Sequence, residues 1–505
     1  MRIGRILLII LYFGALVLVG SKVFFESKFD AAVGAMMSHQ GEELKTLRIG
    51  LSEPAVSLHP LTNDIGSRTR LLHIYEPLIR VVPDLRLEPA LAISYGVQDS
   101  TTWEFRIRPD VRFHDGSLVT FADIEYSLLQ ARDAQNSGVS DLAANIAAIE
   151  KIDEETFHIT TQAPDPLLPA KLSSLFIFKG SSEQHIGTGP YIFAQQKEGI
   201  LHLNRHDAYW DKAPAFATVE LVTLASKSDR TAALQEKTVS VLQNLPPDLA
   251  DAFPVNNFVL KTMPSLEVNF LLFNFQSIFK DPLLREAVIR SIDREKLAKL
   301  GFGFATPVYQ FIPNGVFGYD GGLEKLSYNE ARARELVSLI KPPKITLDLP
   351  QGLEGLGKNL MRMFERVGLA AEIRIHSIAE IGQLIQKRQS PFFFFGWRSD
   401  LGDALDFLTA VVHSPQATFG QFNGANYINP EVDKLIEESR ETLDPRDRLR
   451  RMRRALAIIT VQDMVGVPLF SPEVPYAVSG DILWEPRVDG YVLAQEVGLR
   501  ASSKK

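Results

Sequence analysis

The chain has 505 residues, of which 45% are hydrophobic and 23% are charged, the composition of an ordinary globular protein. Its length predicts two or three domains. The formal net charge of -7 and the lack of any segment with clustered basic and aromatic residues argue against a nucleic-acid partner. The absence of cysteine excludes disulfides, thiolate metal sites and thiol nucleophiles, and it suits a protein outside the cytoplasm.

The N-terminus carries the pattern of an export signal. Two arginines precede an apolar stretch, residues 6–25, in which Lys22 is the single charged side chain. The segment Val19-Gly20-Ser21 offers a cleavage point, whereas the whole stretch approaches the ~20 residues that cross a bilayer. We favour an uncleaved anchor in the inner membrane over a cleaved signal peptide. Residues 26–43 are then a tether, and the remainder lies in the periplasm or on the extracytoplasmic face.

Helix and strand patterns alternate after the tether. Thr46 to Leu51 predicts a first strand, and Arg68 to Ile79 predicts a helix. Thr120 and Asp123 have the spacing of a capping box, which predicts a helix over residues 122–131. An α/β region therefore begins close to residue 46.

The next stretch contains the first sign of a domain boundary. Trp103 to Ile107 and Thr156 to Thr161 alternate as strands, and Ile146 to Ile152 is predicted as the end of a helix. The segment Gly187 to Tyr191 has two glycines and a proline, which fit neither a helix nor a strand. It is predicted to be a crossing point between domains, with a surface turn as the alternative.

Three helices of the second half begin with an acid or amide followed by proline, at Asp281, Asn429 and Asp444. The first residue caps the helix, and the proline suits its first turn. The predicted elements of this half are the helices 283–292, 357–367, 431–441 and 445–462 and the strands 219–224, 266–273, 345–349 and 371–375. Their alternation predicts a separate α/β domain.

The most informative segment is FFFFGWRSDLGDALDF, residues 392–407. Its aromatic start predicts a buried strand, and a strand that ends at the carboxyl edge of an α/β sheet faces the crevice where ligands bind. Trp397, Arg398 and Asp400 are therefore predicted at a cleft. Asp403 suits the N-cap of a following helix, and Asp406 lies three residues further, as in a capping box. Asp400 is too far upstream to cap that helix, so it is a candidate for a ligand's positive group, with a simple turn as the alternative.

Six arginines crowd residues 446–454 and could form a docking patch. However, Leu449, Met452, Leu456 and Ile459 recur with helical spacing on one face. We therefore predict an amphipathic helix whose arginines are mostly solvated.

No enzyme motif stands out. The chain lacks a nucleophile elbow, a zinc-protease helix and a Walker loop. His202 and His206 are four residues apart, but Leu201 and Leu203 flank His202 in an alternating pattern, which disfavours a shared helical metal face, and both histidines are predicted as surface residues. His114 and Asp115 are adjacent but lie at a turn, which disfavours an acid-base pair. We predict no catalytic residue, no metal and no cofactor.

Nine segments, in order along residues 44–492, resemble landmarks of the family 5 extracellular solute-binding proteins of ABC transporters. They are LRIGLSEPAVSLHP (47–60), IYEPL (74–78), EPALA (88–92), TWEFRIRPDVRFHDG (102–116), ADI (122–124), GTGPY (187–191), AVIRSIDREKL (287–297), the segment 397–407 and NPEVDKLI (429–436). Each is weak alone, but their order is specific.

The resemblance implies an α/β periplasmic-binding-protein fold of type II, cluster C, with two lobes, a hinge and an extra inserted domain. The implied boundaries are residues 44–63, 185–275 and 476–500 for lobe I, 64–184 for inserted domain II and 276–475 for lobe III.

The resemblance also implies a ligand site. In peptide-binding relatives the aspartate at the position of Asp400 pairs with the ligand's α-ammonium, a charge-assisted bond. Trp397 would contact a ligand side chain, the backbone of Gly396 to Arg398 would pair with an extended ligand, and Arg398 would receive a carboxylate. The full candidate set is Gly396, Trp397, Arg398, Asp400 and Asp403, with Thr62, Asn63 and Asp64 on the opposite wall.

The implied function is that of a monomeric, non-enzymatic, exported receptor that captures a small solute, foremost a peptide, and delivers it to an ABC permease. A metal chelate or a sugar remains an alternative ligand. A second reading is a membrane-anchored sensor or chaperone-like module with the same fold. The chain departs from the family at Asp403-Ala404, where an aspartate-proline pair is usual, and it lacks a lipid-attachment cysteine.

Overall fold

The computed structural model describes residues 46–134, 138–180, 184–253, 257–301 and 304–500. The predicted anchor and tether, residues 1–43, lie outside them. Every helix in the described part of the chain is too short or too polar to cross a membrane.

The strands, in chain order, are β1 Leu47–Leu51, β2 Glu76–Pro77, β3 Ile79–Val81, β4 Leu87–Pro89, β5 Ala92–Val97, β6 Thr102–Ile107, β7 Ile146–Lys151, β8 Thr156–Thr161, β9 Phe176–Ile177, β10 Tyr191–Lys197 and β11 Ile200–Arg205. They continue with β12 Thr218–Thr223, β13 Val241–Gln243, β14 Phe258–Pro264, β15 Glu267–Phe273, β16 Ala305–Pro307, β17 Ile345–Pro350, β18 Ala371–His376, β19 Phe392–Arg398, β20 Gly466–Ser479, β21 Ile482–Leu483 and β22 Gly498–Leu499.

The α-helices are α1 Ile65–Leu71, α2 Phe121–Asp133, α3 Gly138–Ala143, α4 Leu168–Leu172, α5 Lys227–Gln235, α6 Pro282–Ser291, α7 Arg294–Gly301, α8 Glu330–Ile340, α9 Glu354–Arg366, α10 Ile378–Gln386, α11 Leu405–Phe407, α12 Pro430–Glu441 and α13 Pro445–Ala457. Wider π-turns extend α11 and α13 over Leu408–Val412 and Ile458–Gln462.

One long strand, β20, joins two lobes. Its C-terminal half lies between β13 and β14, and its N-terminal half lies between β15 and β16. The chain crosses between the lobes a second time where β14 leads into β15. There Ser265 N–H donates to Pro472 O at 2.8 Å, and Ser471 Oγ donates to Ser265 O at 3.0 Å. These two adjacent strands form the hinge.

Lobe I is built on the strand order β10-β11-β12-β1-β13-β20. β1 lies parallel to β12 and β13, and its buried residues Leu47, Ile49 and Leu51 pack with Leu71 and Tyr75. Helix α1 therefore belongs to the core of lobe I, whereas the sequence placed residue 64 and those following in domain II.

Domain II has its own antiparallel sheet, ordered β5-β6-β8-β7, and its own core. The chain enters it near β3 and leaves it through residues 187–190. An added Cβ on Gly187 would lie 2.0 Å from Ile74 O, so that close backbone crossing requires glycine.

Lobe III is built on the order β20-β15-β19-β17-β18, with one helical layer on each face. Strand β15 pairs along its whole length with β19. We therefore draw the start of lobe III at the hinge, near residue 265, rather than at residue 276.

Most predicted elements agree with the structure, including the capping box, in which Asp123 Oδ2 accepts from Thr120 N–H at 2.9 Å. Two predictions are wrong. The helix predicted over residues 68–79 is α1, which ends at Leu71, because β2 and β3 then pair with β9 and β4. The segment 146–152 is strand β7, because it pairs with β8 and buries Ile146 and Ile149 in the domain II core.

Candidate functional site

The described residues form a cavity of about 670 Å³ where the three domains meet, and we call it the front cavity. Its walls come from α1, from the β3–β4 hairpin of domain II, from the loop after β19 and from the C-terminal tail. Its wall residues include Asn63, Glu76, Val81, Leu266, Arg398, Asp400, Arg487, Asp489 and Glu496.

The strand that leads to this cavity, β19, has a partly open edge. On one side it pairs with β15 from Phe392 to Arg398. On its other side, among the described residues, β17 pairs with it only at Phe393. The edge from Phe394 to Arg398 that faces away from β15 therefore has no strand partner.

Gly396 lies in the middle of this open edge. A Cβ added there would stand 2.9 Å from Asn269 Oδ1, closer than side chains normally approach. A larger residue would displace the flexible Asn269 side chain, and glycine leaves the strand without a side chain at this point.

Arg398 and Asp400 form an ion pair at the end of the strand. Arg398 Nε donates to Asp400 Oδ1 at 2.7 Å, and the Asp400 side chain is 74% exposed. Arg398 Nη2 also donates to Asp489 O at 2.9 Å, which links lobe III to the tail. Both residues line the front cavity, so an acceptor and a donor for a charged ligand stand side by side.

Asp403 has a different environment, although it is only three residues away. Both its oxygens accept from Arg448, at 2.7 Å each, and both side chains are about 6% exposed. Its Oδ1 also accepts from Leu405 N–H at 2.9 Å, although the N-cap residue of α11 is Ala404 rather than the predicted Asp403. This buried bidentate pair fixes the loop after β19 to α13. Asp403 does not line the front cavity, and its ligand role remains a prediction.

Arg448 is the exception to the predicted solvated face of α13. Met452 and Leu456 are buried as their spacing indicates, but Arg448 lies among them and is 5% exposed. The prediction failed at this residue because its partner, Asp403, is distant in sequence.

Trp397 and Asp406 do not line the front cavity. The Trp397 ring centroid is 6.3 Å from that of Phe407 and 6.0 Å from that of Phe422, and the side chain packs on the lobe III core. Burial raises the pKa of Asp406 to about 8, the Phe407 N–H opposes the rise, and the charge of Asp403 adds to it. Asp406 does not form the predicted capping box. Its Oδ1 accepts a hydrogen bond from the N–H of the next residue, Phe407.

Of the three residues predicted on the opposite wall, one lines the front cavity and two make local structural contacts. Asn63 lines the front cavity, and its Oδ1 accepts from Arg68 Nη1 at 3.4 Å. Asp64 caps α1 by accepting from Ser67 N–H at 2.8 Å. Thr62 N–H donates to His59 O in a turn. Of the eight candidates, Asn63, Arg398 and Asp400 come together at the cavity.

The sequence did not indicate the buried charges of the tail. Arg487 donates to Asp489 at 2.6 Å, to Glu496 at 2.5 Å and to Val81 O at 2.8 Å. Burial lowers the pKa of Arg487, but hydrogen bonds and charges from Asp489 and Glu496 outweigh it and raise the net pKa. No sequence signal pairs Arg487 with Val81, which lies 406 residues upstream.

Glu76 is another wall residue that sequence reasoning missed. Its carboxylate accepts from Thr188 Oγ1 at 2.9 Å, Tyr209 Oη at 2.7 Å and Trp210 Nε1 at 2.9 Å. Burial raises the pKa of Glu76 to about 7, and these three bonds oppose the rise. The segments IYEPL and GTGPY, which supply Glu76 and Thr188, were the available signal.

His114 and Asp115 do not pair with each other in the structure. His114 Nε2 contacts Gly189 O, whereas Asp115 bonds Ser117 and Lys179. His202 lies beside Glu220 rather than His206. The part of the chain that the structure describes has no cluster of three or more metal-ligating side chains.

Comparison with known proteins gives a consistent picture. The profile of the bacterial extracellular solute-binding proteins, family 5 Middle, matches residues 86–419. The glutathione-binding protein GsiB of Escherichia coli (strain K12) is 26% identical over 465 residues, which cover 86% of this chain and 90% of GsiB.

Solved structures share the fold. The unliganded open form of the periplasmic murein tripeptide binding protein MppA gives a TM-score of 0.82 at 17% identity and covers 90% of this chain and 98% of that one. The nickel ABC transporter protein from Bacillus halodurans gives 0.80 at 22% identity and covers 90% and 99%. These likenesses confirm the predicted fold class.

The family match covers most of the chain and includes the loop with Arg398 and Asp400. It confirms the expectation of an extracytoplasmic binding protein rather than an enzyme. The chain belongs to the bacterial extracellular solute-binding proteins of family 5, the receptors that serve ABC transporters.

Proposed function

We propose that this receptor captures an oligopeptide, or a similar small solute with a free amino group, between its lobes. One observation carries the proposal: the open edge of β19 ends in a carboxylate that faces the front cavity. An extended peptide adds to such an edge through main-chain hydrogen bonds, which tolerate many sequences.

Charge selects the ligand's orientation in this proposal. The peptide's α-ammonium takes the place of Arg398 at Asp400, because a primary ammonium can donate to the same oxygen. Arg398 is then free to receive a carboxylate with its planar guanidinium. The names of two relatives, a glutathione-binding and a murein tripeptide binding protein, agree with a peptide-like ligand.

The remaining candidate residues support ligand binding without pairing with the ligand's charges. Asn63 contributes an amide to the opposite wall, and the bare backbone at Gly396 lets the ligand strand approach. Trp397, Asp403, Thr62 and Asp64 support the site through the packing, ion-pair, turn and capping contacts described above. The ligand's preference for the closed state would drive the lobes together.

The test uses a mixed tripeptide library and the same library with acetylated N-termini. The protein, freed of co-purified solute, should retain free-amine peptides, and Asp400→Asn should weaken their binding about 10- to 100-fold. The matched control is Asp207→Asn, because Arg205 Nε and Asp207 Oδ1 form an equally exposed pair at 2.8 Å with the same spacing. Equal retention of the acetylated library would refute the proposal, as would unchanged X-ray scattering on binding.

We further propose that the protein is a monomer held at the inner membrane by residues 6–25. The apolar length of that segment supports an uncleaved anchor. The mass of the exported protein distinguishes the alternatives, since an intact Met1 means an anchor and a start near Lys22 means a free receptor.

A further inference from the structure

A second cavity, of about 570 Å³, lies behind the hinge, and we call it the rear cavity. Lobe I contributes Arg230 on α5 and the loop after β13, lobe III contributes Phe394 and the loop after β17, and the hinge strand β20 contributes Pro472 and Glu473. The front and rear cavities share no wall residue.

The hinge strands separate the two cavities. Side chains alternate between the faces of a strand. On β15 and the residue before it, Leu266 points to the front cavity and Asn269 to the rear one. The two hydrophobic cores of lobe III show the same division. Leu266 packs with Val268 and Phe270 on one face of the sheet, whereas Leu271 packs with the helical layer on the other face.

The rear cavity is mainly apolar. Phe394 and Phe470 contribute rings, and five prolines contribute walls without N–H donors: Pro246, Pro247, Pro350, Pro472 and Pro475. Its volume is within the range of about 300–1,000 Å³ that is usual for small-molecule sites. Such walls suit the aliphatic or aromatic part of a small-molecule ligand.

One wall residue, Arg230, is a cation without an acidic partner among the described residues. Its Nη1 donates to the carbonyl oxygens of Leu224 and Ala225, and its Nε has no acceptor. Among the described residues it forms no ion pair, unlike Arg398 and Arg448. The acidic wall residue, Glu473, already accepts from Thr306 Oγ1 at 2.5 Å. Arg230 therefore keeps an unused guanidinium donor at this wall, and an anionic head group would pair with it.

We propose that the rear cavity binds an amphipathic carboxylate, whose apolar body fills the proline and phenylalanine walls and whose head pairs with Arg230. Because both lobes and the hinge form its walls, an occupant stabilises the lobe angle at which the walls fit it. Occupancy therefore opposes closure of the front cavity and lowers the affinity for solute. The binding itself is independent of the proposed function, and only this coupling depends on it.

The direct test titrates decanoate, below its micelle concentration, into the protein by calorimetry, with decanol as the uncharged probe. Decanoate should bind with one-to-one stoichiometry, and both Arg230→Gln and the change to decanol should weaken binding about tenfold or more. Gln351→Trp, on the exposed rim, should also block binding. The control Arg106→Gln removes an exposed arginine of domain II and should have no effect.

The coupling is tested by titrating a tripeptide that the protein retains from the library, with and without saturating decanoate, which should lower peptide affinity without competing at Asp400. Decanoate binding that survives Arg230→Gln and Gln351→Trp, or that Asp400→Asn weakens, would overturn the rear site. If no peptide binds, the proposed function fails, and the decanoate titration still decides the rear site.

Discussion

Asp400 and Asp403, which both follow β19, differ in solvent exposure and in the number of hydrogen bonds to their arginine partners. The pair of Arg398 and Asp400 is at the surface of a cavity, with Asp400 74% exposed, whereas Arg448 and Asp403 are about 6% exposed and doubly bonded. A buried pair cannot exchange its partner without leaving a charge unsolvated, but an exposed pair exchanges it at little cost. The contrast teaches that burial, rather than residue type, decides which carboxylate is available to a ligand.

Removal of the buried acid should destabilise the protein strongly. Asp403→Ala should lower the free energy of unfolding by about 3–5 kcal/mol, because Arg448 is left as an uncompensated buried charge. Urea denaturation followed by circular dichroism measures the loss. Adding Arg448→Met should recover part of it, and a single variant as stable as the parent protein would contradict the assigned role.

A third carboxylate of the same segment, Asp406, should make the stability of the protein depend on pH. Its folded pKa of about 8 lies above the unfolded value, so its protonated form stabilises the fold at low pH, and this contribution is lost as pH rises from about 4 through 8. Asp406→Asn removes that loss while it keeps an acceptor for Phe407 N–H.

The stability of Asp406→Asn relative to the parent protein should therefore increase as pH rises from 5 to 9, by up to about 1.4 kcal/mol per pH unit. Thermal unfolding across that pH range measures it. Asp207→Asn, at an exposed site, should show no such trend, and a flat difference for Asp406→Asn would contradict the raised pKa.

The smallest effect is expected at the exposed pair. Asp400→Ala should change the free energy of unfolding by less than about 1 kcal/mol, since exposed ion pairs contribute little. The same urea titration measures it beside Asp403→Ala. A loss as large as that of Asp403→Ala would mean that Asp400 serves the fold and would weaken the ligand role proposed for it.

Local sequence patterns predicted much of the fold. Proline after Asp281, Asn429 and Asp444 located three helix starts, since each cap bonds the amides of its own first turn. The four phenylalanines predicted β19. Where partners are remote, the patterns failed: residues 146–152 are a strand only because β8 lies beside them.

The candidate site could be predicted only in part for the same reason. The family resemblance and the end of a buried strand indicated Asp400 and Arg398. The sequence did not separate them from Asp403, because that distinction depends on Arg448, 45 residues further along the chain. Arg487 and its contact with Val81 O lay beyond any local signal.

The sequence by itself determined the helix caps, the alternation of strands and helices, the family and the aromatic strand that ends in charge, because these depend on bonds between near neighbours or on ordered motifs. Only the tertiary structure decided which aspartate is buried, which edge of β19 is left open and that the hinge separates two cavities. Burial and strand pairing join residues that are distant in sequence, and they are fixed only when the whole chain has packed.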